Sequence, residues 1–223
     1  MTALFAVAHG TRSAAGQAQI RDLVGAVARR RPGLDIRLCY VDVQRPTLIE
    51  TVALRSTSDS AGAVVVPLLL STGYHVRVDI AEAVAGTDIA VAAPLGPDDV
   101  LLESLLRHLP PADAVVLAAA GSADPAWRAD VGEVASRIPG GAHVGYASGS
   151  EPRVADVVAG LRAQGARRIA IAAYLLADGL FYRTLHLAGA DAVTPPLCLD
   201  PSVAALVLRR YESALLTTAP GHL

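Results

Sequence analysis

The chain has no lysine; all 19 of the basic residues among its 223 are arginine. That excludes Schiff-base chemistry on a lysine amine and the phosphate-gripping lysine of a P-loop. It leaves the guanidinium fork as the permanently cationic side chain, suited to paired contacts with carboxylate or phosphate. Cysteine is nearly as scarce: Cys39 and Cys198 are too few for a disulfide framework or a four-thiolate iron–sulfur cluster. Hydrophobic residues make up 52% of the chain, yet no apolar run reaches the roughly 18–20 residues that cross a membrane. The first residues lack the charged start, apolar stretch and cleavage site of a signal peptide, so a cytoplasmic location is expected. A net charge of −2 gives no electrostatic footprint for nucleic acid. The glycine-rich dinucleotide fingerprint is missing, Pro139-Gly140-Gly141 being a turn without its spacing, and no nucleotide is expected. There is no G-x-S-x-G elbow either, and Ser71 near His75 is a weak nucleophile–base candidate.

What is present is one pattern written twice. Residues 4–12 read LFAVAHGTR and residues 115–123 read VVLAAAGSA, so His9-Gly10 corresponds to Ala120-Gly121. Residues 64–80 and 170–186 match in the same way, pairing Gly73 with Gly179 and His75 with Phe181. Tyr40 with Tyr146 and Pro46 with Pro152 hold the same separation of 106 residues (146 − 40, 152 − 46), while Pro94 with Pro196 and Asp98 with Asp200 lie 102 apart (196 − 94, 200 − 98). Apolar runs at 4–8, 35–41, 63–70 and 88–93 alternate with helical patterns at 14–31, 46–56, 77–85 and 98–108. The second half repeats the rhythm, with strands near 114–119, 142–146, 168–175 and 190–194 and helices between and after them. Strands apolar on both faces, each followed by a helix, mean an α/β protein with two four-stranded, mainly parallel sheets flanked by helices. The Pro110-Pro111 pair stops the helix before it and divides the chain into residues 1–109 and 112–217.

The repeat shows where function sits, because only the first copy kept its histidines. His9 ends the first strand and His75 follows the third, both at the carboxyl edge where open α/β sheets bind ligands. If those strands are neighbours, the two imidazoles face one cleft. Gly10 and Gly73 would let backbone and substrate approach closely. Two neutral imidazoles suit Fe(II), Co(II), Ni(II) or Zn(II), and their spacing of 66 residues (75 − 9) is unlike a closed structural zinc site. An open two-histidine site binds weakly, as a protein that hands its metal on requires. Asp79 and Glu82 share a helical face with His75. Asp79 either orients His75 from behind or is an ordinary acid in a first helical turn. Arg12, Arg45 and Arg77 follow the first three strands and either ring an anionic ligand or are solvated surface residues.

At these residues the chain resembles the CbiX/SirB family of class II tetrapyrrole chelatases, which insert Co(II) or Fe(II) into sirohydrochlorin. The resemblance is carried by Ala8-His9-Gly10-Thr11-Arg12, by Val66-Pro67-Leu68-Leu69-Leu70 through Gly73-Tyr74-His75-Val76 to Asp79-Ile80, by Ala93-Pro94-Leu95-Gly96-Pro97 and by Arg45-Pro46-Thr47-Leu48. It covers essentially the whole chain, as a tandem fusion of the short homodimeric form. It implies that His9 and His75 are the metal-binding, catalytic residues, and that residues 1–109 form the active half and residues 112–217 a degenerate half facing it across a cleft. It also implies substrate contacts at Gly10, Arg12, Arg45, Gly73, Tyr74 and Arg77, with Asp79 behind His75. The expected partners are sirohydrochlorin and a divalent metal ion, Fe2+ or Co2+ with Ni2+ as a further candidate, consumed as substrate by a monomer. Two departures stand out. Gln44-Arg45 precede Pro46 where family members often carry an acid, which the second copy keeps as Glu151-Pro152. The cysteine- or histidine-rich tail of some long members is absent. The alternatives are a ferrochelatase for another porphyrin and a non-catalytic carrier of metal or tetrapyrrole.

Overall fold

The structure, a computed structural model, describes residues 2–55, 62–71, 73 and 75–218, and only the backbone of residues 75–77 and 218. The chain divides into two compact units, residues 1–96 with 201–223 and residues 97–200. Each contains a four-stranded, wholly parallel sheet.

In the first unit the strands are β1 (Ala3–Ala8), β2 (Ile36–Tyr40), β3 (Ala63–Pro67) and β4 (Ala90–Val91), in the order β2-β1-β3-β4. Both faces of the inner strands are covered. Phe5, Val7 and Val65 pack with Cys39, Leu48, Ile80 and Ile89, while Leu4, Ala6, Val64 and Val66 are equally buried in their own right. A continuous apolar strand needs such two-sided cover. The first helix, α1 (Ala14–Arg30), buries Gly16, Ile20, Leu23 and Val27 along one stripe, and the Ser13 hydroxyl caps its start by accepting from Gly16 N at 3.3 Å. The second, α2 (Leu48–Ala53), begins with a reciprocal capping box between Thr47 and Glu50.

The third helical segment departs from expectation. His75–Ile80 is wound as a π-helix and only then becomes α3 (Ala81–Ala83). A π-turn accommodates one extra residue within a helix, and the repeat shows it. Gly73 and Gly179 are 106 apart, but the core residues that follow, Ile80 and Leu185, are 105 apart (185 − 80), and both are buried in their units' cores. The second copy, one residue shorter over this stretch, forms an ordinary helix there.

The second unit holds β5 (Ala114–Ala119), β6 (His143–Tyr146), β7 (Ile169–Ala173) and β8 (Ala192–Val193) in the matching order β6-β5-β7-β8. Its helices are α4 (Asp99–His108), α5 (Pro125–Arg137), α6 (Val154–Ala163) and α7 (Leu180–Leu185). The last helix, α8 (Pro201–Thr218), belongs to the first unit. The compact units therefore differ from the contiguous repeats at 1–109 and 112–217, because each takes the closing helix of the other repeat. Specific bonds fix the exchange. Within the first unit α8 packs on α1, β3 and β4, and Arg210 donates to the carbonyls of Pro94 and Leu95 at 2.8 and 3.1 Å. Within the second, the Arg107 guanidinium of α4 pairs with the buried carboxylate of Asp200, and Asp99 pairs with Arg137 of α5. Among the described residues no helix is long and apolar enough to cross a membrane.

Candidate functional site

Strand order decides the central question left by the sequence. β1 and β3 are hydrogen-bonded neighbours, in register from Ala3 opposite Ala63 to Val7 opposite Pro67. With β2 on the other side of β1, the chain reverses its direction of growth between β1 and β3, and the crevice beyond their carboxyl ends is where such sheets take ligands. His9 lies one residue past β1 and is exposed. The backbone of His75 opens the helical turn after β3. The fold thus brings both histidine positions to the same crevice. The side chains of His75 and Arg77 lie outside the described residues, as does the whole of Tyr74.

The loop after β2 braces His9. Val41 N donates to Ala8 O at 2.9 Å and Asp42 N donates to His9 O at 3.1 Å. Gly10 is what permits this approach. Its φ is +99°, and a Cβ there would stand 2.2 Å from the Asp42 carbonyl oxygen. Gly121 repeats the arrangement, with φ +109° and a Cβ position 1.9 Å from the Ser148 oxygen. Since the second copy keeps this glycine without the histidine, the close approach made at Gly10 is that of its own loop. Gln44 continues the brace: its Oε1 accepts from Thr11 N at 2.9 Å, and Gln17 holds Thr11 O at 2.8 Å.

The remaining expected residues fall in different settings. Arg12 is exposed beside this loop. Arg45 is exposed and ion-paired with Glu50, whose carboxyl is lowered below its ordinary range first by the Thr47 backbone N–H and further by Arg45. Gly73 is half-buried. Asp79 and Glu82 share the wall of a cavity of about 380 Å³ with Tyr40, Val41, Thr47 and Ile49, at the end of β2. Both acids thus line the flank next to α2, and the face they are expected to share with His75 falls partly outside the described residues. Among the described residues, no group of three or more His, Cys, Asp and Glu side chains is gathered to hold a metal ion.

Three residues at this edge are ones that sequence patterns do not single out. Asp42 is an exposed carboxylate tied to His9 through the backbone, its Oδ1 accepting from Val43 N at 2.6 Å. Its position two residues beyond β2 is the available signal. Gln44 stands out in sequence only as a departure from a pattern, and Val43 not at all. In the second unit the corresponding edge is occupied by its own bonds. Arg128 donates to Ser122 O at 2.8 Å and to Ser150 Oγ at 3.3 Å, and its guanidinium lies over the Tyr146 ring. Leu180 and Phe181, where the first copy has Tyr74 and His75, are 75% and 38% exposed.

Comparison with known proteins agrees with this architecture. The family described as CbiX matches residues 3–111 and again 114–214, so the chain belongs to the CbiX family, in two tandem copies. A sirohydrochlorin ferrochelatase of Priestia megaterium is 26% identical over 63% of this chain and 58% of its own length. A sirohydrochlorin cobaltochelatase of Methanococcoides burtonii is 24% identical over 35% of this chain and 60% of its own. The matches thus span less than two thirds of either relative. Among solved structures, SirB from Bacillus subtilis with Fe3+ superposes with a TM-score of 0.78, at 20% identity and covering 96% of both chains. The sirohydrochlorin chelatase SirB from Bacillus subtilis subspecies spizizenii, in complex with cobalt, gives 0.74 at the same identity and coverage. These two likenesses show the fold.

Proposed function

We propose that this protein is a metal chelatase that inserts Fe2+ or Co2+ into sirohydrochlorin, without a nucleotide. The observation that carries the reading is the retention of His9 and His75 at the carboxyl ends of adjacent strands β1 and β3, in the one repeat of the two that has histidine there. The names of the family's curated relatives supply the substrate.

The chemistry asks little of the protein beyond these groups. Insertion removes two pyrrolic protons and exchanges the metal's water for four ring nitrogens. A neutral imidazole can ligate a metal or accept a proton, so one histidine would ligate the incoming metal while the other accepts one pyrrolic proton and the second passes to solvent. Weak, open ligation lets the metal leave into the macrocycle. Sirohydrochlorin carries carboxylates around its rim, and the guanidinium side chains we assign to them are those of Arg12 and Arg77. Arg45 reaches such a carboxylate only by leaving Glu50. With Fe2+ the product serves siroheme synthesis, and with Co2+ cobalamin synthesis. The same reading places the protein in the cytoplasm as a monomer.

The test is anaerobic incubation with sirohydrochlorin and, separately, Fe(II), Co(II) and Ni(II), following the absorption change on insertion. Catalytic turnover is expected, with His9→Ala and His75→Ala each abolishing it while the circular dichroism spectrum is kept. Stoichiometric binding without turnover would identify a carrier, and full activity in both variants would overturn the site.

A further inference from the structure

Val43 has a backbone conformation that valine almost never takes. Its φ is +66°, and among the described residues it is the one non-glycine with a positive φ. Gln44 N donates to Asp42 O at 2.7 Å, which closes a three-residue turn on Val43. A turn of this kind with positive φ is rare and strained, and a β-branched residue makes it a true outlier. The side chain gains little burial in return, being 45% exposed. The second repeat shows the relaxed solution, with Gly149 at φ +61° in the equivalent place (149 − 43 = 106). Glycine therefore suits this turn, and the copy without the histidines uses it.

Location gives the strain a use. Asp42, the preceding residue, holds His9 through the backbone, and Val43 Cβ lies 3.2 Å from where a Gly10 Cβ would stand. An isopropyl group is thus displayed beside the residue after His9, at the carboxyl edge of β1. Strain that packing does not explain, next to a candidate site, is the pattern expected of a functional contact. Resting on the chelatase reading above, we infer that Val43 is a specificity-determining contact for the macrocycle, holding an apolar surface against the tetrapyrrole beside the histidine that meets the metal.

The test compares wild type with Val43→Gly and Val43→Thr. Sirohydrochlorin affinity is measured by absorption titration without metal, Co(II) affinity by titration without tetrapyrrole, and Tm by thermal unfolding. Valine-to-glycine ordinarily lowers Tm. Here it is expected to leave Tm unchanged or raised, because glycine accepts this turn. Sirohydrochlorin binding should weaken about five- to tenfold in Val43→Gly, the share expected of a half-exposed valine, with a smaller loss in Val43→Thr, which keeps the branched shape. Co(II) binding should hold. Unchanged tetrapyrrole affinity in Val43→Gly overturns the inference, as does a fall in Tm, which would make Val43 a packing residue. A binding loss confined to glycine overturns it too, since stiffness of the turn would then be the cause. Failure of the wild type to bind sirohydrochlorin would instead remove the chelatase reading beneath it.

Discussion

Replacing Gly10 by alanine should be among the costliest single-methyl additions in this protein, and its size can be worked from the structure. The left-handed backbone costs an L-residue about 1–2 kcal/mol. The new methyl would stand 2.2 Å from the Asp42 carbonyl oxygen, so the loop must retreat by roughly 1 Å to reach ordinary contact. That retreat loosens the 3.1 Å bond from Asp42 N to His9 O, worth about 0.5–1.5 kcal/mol net. The total is about 1.5–3.5 kcal/mol, or roughly 3–14 °C in Tm for a protein of this size. Gly121→Ala is the internal control, since its methyl would meet Ser148 O at 1.9 Å with no histidine beside it. Both variants should lose similar stability in urea unfolding. Only Gly10→Ala should also depress metal insertion in the fraction that remains folded. A Gly10→Ala protein within about 0.5 kcal/mol of wild type would refute the argument, because surface substitutions without a special role fall in that range.

Two further outcomes follow from buried groups. The Ser71 hydroxyl is buried with no hydrogen-bond partner among the described residues, and its counterpart in the repeat is Ala177 (177 − 71 = 106). Ser71→Ala should therefore raise stability by about 1 kcal/mol, measured as a higher urea midpoint, and a lower midpoint would mean that the hydroxyl is bonded. Burial pushes the Cys39 thiol up from 9.0 to about 12, partly offset by a hydrogen bond with Thr51. Because the folded value lies above the unfolded one, this share of stability is complete below about pH 9 and is lost as pH rises toward 12. Cys39→Ala should flatten that alkaline decline. Native Cys39 should resist iodoacetamide at mildly alkaline pH and react once urea is added.

Much of the architecture is legible in the amino-acid sequence. Alternating apolar runs and helical stretches place all eight strands, because a strand buried on both faces must be apolar throughout. The strand edges are less legible. β3 ends at Pro67, short of residue 70, and β4 and β8 are two-residue pairings inside longer apolar runs. Hydrophobicity marks burial and does not mark where a ladder of hydrogen bonds stops. Arg45 reads in sequence either as a ligand for an anion or as a solvated surface residue, and its ion pair with Glu50 is a side-chain contact that the sequence does not show.

The sequence by itself determined the duplication, the α/β class, and the asymmetry of His9 and His75 against Ala120 and Phe181, since these need only a comparison of the chain with itself. Tertiary structure alone decided that β1 lies beside β3, that the repeats exchange their closing helices, and that Asp42 and Val43 stand beside His9. Each of these is a contact between residues far apart in sequence or a backbone angle imposed by such a contact. Local residue preferences carry neither. Val43 is the clearest case: a valine reads as strand, and only the loop it closes over Gly10 holds it in a turn made for glycine.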